Sequence, residues 1–304
     1  MKKLTSLLLA ALLLASASAL SSCNKQTADD GNQNDVANNG ANTENTDDKT
    51  DDNTDDKSND QTEDKTDQNA AGDLDYIKEK GELVIGITDF EPMDYKDEKG
   101  DWIGFDADVA KAFAESLGVE AKFVEIEWGN KILELNAKSI DCVWNGMTLT
   151  DEGLSSMECS DAYCNNQQIV IVPADKADDY KTEESLKDLT FAVEAGSAGE
   201  EVATEKGFGT TPVLDQATAV MEVASGTSDA AIIDSLMAAA MVGEGTGYPQ
   251  LAYTVGLTTE EYGVGFRKGS DAASALNDFF KASKEDGTLE KIAETYGVQA
   301  ALIK

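Results

Sequence analysis

The sequence predicts an α/β fold built from two similar lobes, each a mostly parallel sheet flanked by helices. Three observations predict it. Short apolar runs alternate with amphipathic helical segments, which is the pattern of βαβ units. Ser139-Ile140-Asp141-Cys142-Val143-Trp144-Asn145 is echoed by Ser228-Asp229-Ala230-Ala231-Ile232-Ile233-Asp234. The stretch from residue 73 to the last residue, 304, is long enough to bury two cores.

Taken in order, Leu83-Val84-Ile85-Gly86-Ile87 reads as a buried strand. Phe105 to Gly118 reads as a helix, with Val109, Phe113 and Leu117 on one face and Asp106 placed to cap it. Asp106 and Asp108 are accordingly read as helix-start residues rather than ligands. Phe123 to Ile126 is a second strand, Lys131 to Ala137 a helix, and Ile140 to Trp144 a third strand closing on Asn145-Gly146. The pattern restarts with strands at Gln168 to Val172 and Thr190 to Val193. A turn at Gly196-Ser197-Ala198-Gly199 opens a helix, and a further helix at Gln216 to Ala224 precedes the strand ending at Asp234. The strand from Tyr262 to Gly269 is followed by helices through Phe279 and Ile292. If this last part rejoins the first lobe, the chain crosses between lobes twice and leaves a hinge and a cleft.

The first seventy residues are of another kind. Met1-Lys2-Lys3, an apolar run from Leu7 to Leu14 and small residues up to Cys23 make a secretory signal over 1–22, too short to span a bilayer. Residues 24–72 are Asp, Asn, Thr, Gln and Lys with almost no large apolar side chain, so 23–72 is expected to be an acidic, disordered tether starting at Cys23. A coil of that length reaches on the order of 40 Å.

Bulk charge excludes one class of partner. With 59 acidic and 24 basic side chains, a formal charge of -35 and one Arg, Arg267, the chain repels nucleic acid. No His is present, and the spacing of Cys159 and Cys164 is unlike a zinc knuckle, so no metal and no cofactor are expected. Cys142, Cys159 and Cys164 leave an odd thiol in the exported part, and which two would pair cannot be read from spacing.

Leu20-Ser21-Ser22-Cys23 resembles the bacterial lipobox, which implies diacylation of Cys23 and a stable extracytoplasmic membrane anchor. Further along, Gly81-Glu82-Leu83-Val84-Ile85-Gly86, Gly104-Phe105-Asp106-Ala107-Asp108, Gly146-Met147-Thr148-Leu149-Thr150 and Ser160-Asp161-Ala162-Tyr163 occur in order. Ala195-Gly196-Ser197-Ala198-Gly199-Glu200 and Gly287-Thr288-Leu289-Glu290-Lys291-Ile292 follow. The ordered set resembles the polar amino-acid branch of the bacterial extracellular solute-binding proteins, family 3. The resemblance implies a two-lobed, periplasmic-binding-protein-like fold of type II, with lobe 1 at 73–170 plus 258–304, lobe 2 at 171–257, and the ligand trapped between them. It also implies a monomer that delivers its small-molecule ligand to the permease subunits of an ATP-driven importer and has no catalytic residue.

Carried over by the resemblance, Phe90 stacks on the ligand, Gly146, Met147 and Thr148 present backbone and a hydroxyl, Ser197 and Ala198 offer a helix N-terminus to a carboxylate, and Asp234 takes an ammonium. Asn145, Thr150 and Trp128 complete the expected set. Trp128 and Trp144 each face either the core or the cleft, and facing the cleft with Phe90 they would box a cation. One departure bears on the ligand: where the family carries a carboxylate-binding Arg after Gly-Met-Thr, this chain has Gly153. Either Thr148, Thr150 and the helix N-terminus hold the carboxylate, which keeps the ligand an amino acid, or the ligand is an amine or other cationic solute. Two readings outside transport are a ligand-sensing surface lipoprotein and a secreted dehydratase on the same fold. The absence of His and of Lys from the matched cleft motifs argues against the enzyme.

Overall fold

The computed structural model describes residues 72–304; the expected signal sequence, Cys23 and the expected tether up to residue 71 lie outside the described residues. Helix α1 (Asp73–Lys80) leads into β1 (Glu82–Ile87), a small hairpin of β2 (Tyr95–Lys96) and β3 (Trp102–Ile103), α2 (Phe105–Leu117) and β4 (Glu120–Glu125). Then come α3 (Lys131–Asn136), β5 (Cys142–Thr148), α4 (Asp151–Ser156), β6 (Glu158–Cys159) and β7 (Cys164–Asn166). The second sheet takes β8 (Gln168–Pro173), β9 (Thr190–Glu194), β10 (Gly209–Val213), β11 (Ala230–Asp234) and β12 (Leu251–Gly256), interleaved with α5 (Ala198–Glu205), α6 (Gln216–Ser225) and α7 (Ser235–Met241). Strand β13 (Glu260–Phe266) returns to the first sheet, and α8 (Ala272–Glu285) and α9 (Thr288–Tyr296) close the chain.

The two sheets share a plan. The first is ordered β4-β1-β5-β13-β6, with β7 also on β13, and the second β10-β9-β11-β8-β12. In each, three strands run parallel, and the strand next to them is antiparallel: β13 beside β5 and β8 beside β11. The sheets are therefore mixed rather than mostly parallel, because the strands that carry the chain between them enter against the parallel set. The echoed segments fall on β5 and β11, the equivalent third parallel strands. Both are buried along nearly their whole length, as a strand covered on both faces must be.

The chain leaves the first sheet at Gln167 and comes back through Leu257 to Thr259. The two connectors are bonded to each other, Gln168 N donating to Thr258 Oγ1 at 2.9 Å and Leu257 N to the Gln168 carbonyl at 2.8 Å. Strand β5 does not close at Gly146 but runs on to Thr148. Gly146 holds a left-handed φ of 54°, and a β-carbon there would lie 2.5 Å from the Phe90 ring, so only glycine lets the strand turn its end over that ring.

Two expectations about α2 and the cysteines change. Gly104, not Asp106, is the residue preceding the helix. Asp106 is wholly buried and accepts from Gly146 N at 2.6 Å and from the Tyr163 hydroxyl at 2.7 Å, fixing the β5 turn from behind. Burial pushes its carboxyl up to about 7. Asp108 does lie in the first turn, bonded to Lys111 and the Tyr296 hydroxyl. Cys142, Cys159 and Cys164 are free thiols, with Cys142 and Cys164 buried.

Candidate functional site

A cavity of about 350 Å³ lies between the sheets. Its first wall comes from Trp128 and the start of α3, from Asn145 to Thr148 at the end of β5, and from Thr150 and the start of α4. The opposite wall comes from the ends of β8, β9 and β11 and from the turn into α5. Strand ends and helix starts converge there because parallel strands point their carboxyl ends the same way, and the turns after them carry the adaptable residues.

The structure brings nine of the ten expected residues to this cavity: Trp128, Asn145, Gly146, Met147, Thr148, Thr150, Ser197, Ala198 and Asp234. Phe90 is the exception. Its ring is buried in the core behind Gly146, edge-on to Tyr262 at 6.4 Å, and is not part of the wall. The aromatic wall is Trp128 alone, since Trp144 packs in the core against Phe113 and Phe280. An aromatic box of Phe90, Trp128 and Trp144 is thus not formed.

Several expected ligand groups are already engaged with the protein. Thr150 caps α4, its Oγ1 accepting from Gly153 N at 3.1 Å. Thr148 Oγ1 donates to Glu260 Oε2 at 2.9 Å. Asn145 is fully used within the first lobe, accepting from Thr88 and donating to the Thr88 carbonyl and to Asp94. Ser197 caps α5, its Oγ accepting from Glu200 N at 3.2 Å, while Glu200 reaches back to accept from Gly196 N at 2.7 Å. The helix N-terminus expected to receive a ligand carboxylate therefore already has two of the protein's own carboxylates in its first turn, Glu200 folded back onto the N–H ahead of the cap and Glu201 one residue further on.

Asp234 ends β11 and is almost wholly buried. Its carboxylate accepts from the side-chain amides of Asn166, Gln168 and Gln216, with the Gln168 bond at 2.8 Å, and its own N–H donates to Gln216 Oε1 at 2.8 Å. Burial, aided by the nearby Glu260 charge, raises it to about 7 against the pull of those amides. No cation pairs with it among the described residues.

Of the wall residues that escaped the sequence reading, two carry the most chemistry. Lys131 lines the cavity, although the matched motifs promised no lysine there. Its Nζ lies 5.0 Å above the Trp128 ring and donates across the cleft to the Gly196 carbonyl at 2.9 Å. Burial holds its pKa below the ordinary lysine value, with Glu194, Glu152 and Glu201 opposing. Glu194, at the end of β9, is the second. It is 3 % exposed, and its Oε1 has no hydrogen-bond partner among the described residues. The signal for Glu194 was the one used for Asp234, an acid closing an apolar strand, here Phe191-Ala192-Val193.

Comparisons with known proteins agree with this geometry. The family model of the bacterial extracellular solute-binding proteins, family 3, matches residues 83–299. The L-cystine-binding protein TcyJ of Escherichia coli K12 is 29% identical over 230 residues, 74% of this chain and 86% of that protein. The arginine-binding extracellular protein ArtP of Bacillus subtilis is 30% identical over 227 residues, 71% and 86% of the two chains. Among solved structures, the ancestral amino acid-binding protein AncCDT-1, a precursor of cyclohexadienyl dehydratase, is 35% identical with a TM-score of 0.67, over 73% of this chain and 98% of that one. A substrate-binding protein of an ABC uptake transporter from Streptococcus pneumoniae, with histidine bound, is 25% identical with a TM-score of 0.69, over 77% and 99%. These relatives bind solutes rather than transform them. That, and not the supposed lack of a cleft lysine, is the ground for reading the chain as a binding protein.

Proposed function

Because this chain belongs to the bacterial extracellular solute-binding proteins, family 3, we propose that it is the lipid-anchored receptor of an ABC importer, capturing an amino acid or closely related amine by closure of its two lobes. The observation that carries the reading is the cavity itself, enclosed from both sheets and lined by polar groups converging from strand ends of each. Its volume suits a ligand of amino-acid size. The named relatives bind cystine, arginine and histidine, which supports a solute of that class. The paired connectors at Gln168 and Thr258 give the lobes a place to bend, and Lys131 bonding to Gly196 across the cleft is a contact that closure would make. Lobe 1 is assigned to 73–167 plus 258–304 and lobe 2 to 168–257, the sequence-based boundary at 170 moving back because β8 starts at Gln168 in the second sheet, with Cys23 carrying the anchor and 24–72 the tether.

A thermal-shift screen of the mature chain against the common amino acids, polyamines and small dipeptides tests the capture. Ligand at about 100 times Kd raises stability by roughly 2.7 kcal/mol, a readily measured shift. Silence across the panel would set the transport reading aside in favour of a surface lipoprotein with another task. The anchor is checked by fractionation: Cys23→Ser is expected to leave the membrane pellet for the soluble fraction, and retention in the pellet would remove the lipid from the account.

A further inference from the structure

We propose that Glu194 is the receptor for a positively charged group of the solute, and that the solute therefore carries net positive charge as a protonated amine or guanidinium. This rests on the solute-binding reading above and names its ligand class.

The argument begins with which carboxylates in the wall are already satisfied. Asp234 is held by three side-chain amides, and Glu260 behind it by Thr148, Asn166, Gln168 and Thr258. Glu194, equally buried, keeps an oxygen with no partner among the described residues. A buried acceptor left without a donor is costly, so its presence in a cavity wall marks where a ligand donates.

Charge then decides what kind of donor. The wall carries Glu152, Glu194, Glu200, Glu201, Glu205 and Asp234 against the single cation Lys131, whose Nζ is engaged with the Gly196 carbonyl. A neutral zwitterion brings a carboxylate into this acidic wall along with its ammonium, whereas a net cation brings more positive than negative charge to it. The two places where a ligand carboxylate was expected are also poorly suited to one. Gly153 supplies no guanidinium, and the α5 N-terminus, capped by Ser197, has the carboxylates of Glu200 and Glu201 in its first turn, which repel another anion. If the solute does carry a carboxylate, Lys131 is the wall group left to meet it.

Proton linkage gives the inference a signature of its own. The groups facing Glu194 are Thr88 beyond β1, Asp234 on β11, Asp215 at the start of α6 and Lys131 on α3. Burial first, and then the Asp234 charge, lift the Glu194 carboxyl to about 8, with Thr88 and Lys131 opposing. In the empty cavity at neutral pH Glu194 holds its proton, and an arriving cation displaces that proton to solvent. Affinity for a cation should then rise about tenfold per pH unit below 8 and level off above it.

Calorimetric titration of the mature chain at pH 6 and pH 8 with arginine, lysine, agmatine, putrescine, glutamine and serine tests this. Cations are expected to bind more tightly than the neutral amino acids, with affinity rising by roughly tenfold or more between the two pH values. Glu194→Gln is expected to lose at least about tenfold in cation affinity, together with the pH dependence. The unfolding temperature of empty Glu194→Gln, measured alongside, should match or exceed that of the unsubstituted protein, so that lost binding is not lost folding. Arginine above agmatine would show a carboxylate met by Lys131, and restoring Gly153→Arg should widen that gap. Equal affinities would mean the cation alone is recognised, and both results support the inference. Tighter binding of glutamine or serine, or a Glu194→Gln variant that holds cations as firmly as before, overturns it while leaving amino-acid capture standing. Silence with all six compounds and their amino-acid relatives overturns both.

Discussion

Two buried carboxylates, Asp141 at the base of the first sheet and Glu194 at the rim of the second, are treated in opposite ways. Asp141 has no exposed surface and is ringed by donors: Arg267 Nη2 at 3.3 Å, Lys80 Nζ at 2.5 Å and Val84 N at 2.7 Å. Arg267, the chain's sole arginine, spends its other nitrogens on Asp73 at 2.9 Å and on the Ile140 carbonyl at 2.7 Å, tying α1 to the start of β5. Glu194 is nearly as buried and has no cation bonded to it among the described residues. For Asp141, which serves the fold, the countercharge is part of the chain. For Glu194, which lines the cavity, the proposed solute would supply it.

The largest effect that would test this contrast is on the structural pair. Removing the guanidinium with Arg267→Ala is expected to cost about 3–5 kcal/mol, since it strips Asp141 and Asp73 of a buried partner. Urea unfolding measures it, and a loss as small as that of a surface substitution would mean that the ring around Asp141 is dispensable.

A more gradual effect, spread over several pH units, comes from Glu194. Its carboxyl is raised to about 8 in the folded protein from an ordinary 4.5, so the folded state binds the proton more tightly than the unfolded chain. The stabilisation is complete below about 4.5 and is lost as pH climbs to 8. The slope is at most about 1.4 kcal/mol per pH unit. Asp234, raised to about 7, adds in the same direction. Unfolding free energies of the ligand-free protein from pH 5 to 9 should fall across this window, and Glu194→Gln should make the fall shallower. A flat profile in the unsubstituted protein would place Glu194 with Asp141, as a charge the fold has compensated.

Much of the architecture was readable because burial on both faces writes continuous apolar runs. Strands β1, β5, β8, β9 and β11 all announce themselves this way. Strand β10 does not: Gly209 to Val213 is an edge strand, largely exposed, and contains Pro212, whose missing N–H only an edge tolerates. The wall was legible where motif and strand end coincide, as at Gly146, Thr148, Ser197 and Asp234. Phe90 could not be placed from sequence, because a ring beside a turn faces the cleft or the core according to the backbone angle at Gly146, far along the chain. Lys131 lies on a helix start that reads as solvent-facing until the second lobe is brought against it.

The return of β13 also sets an order in time. This strand lies inside the first sheet, bonded to β5 on one side and to β6 and β7 on the other, yet it is made only after every strand of the second sheet. The second lobe is a continuous stretch of chain whose strands are all at hand once Gly256 has emerged. The first must hold its earlier strands with an open seam until Phe266 arrives, and contacts between segments so far apart in sequence form slowly. The half synthesised first is thus the half completed last, and its unfilled edge beside β5 is where a chain caught during export is most open to a wrong strand or to a chaperone.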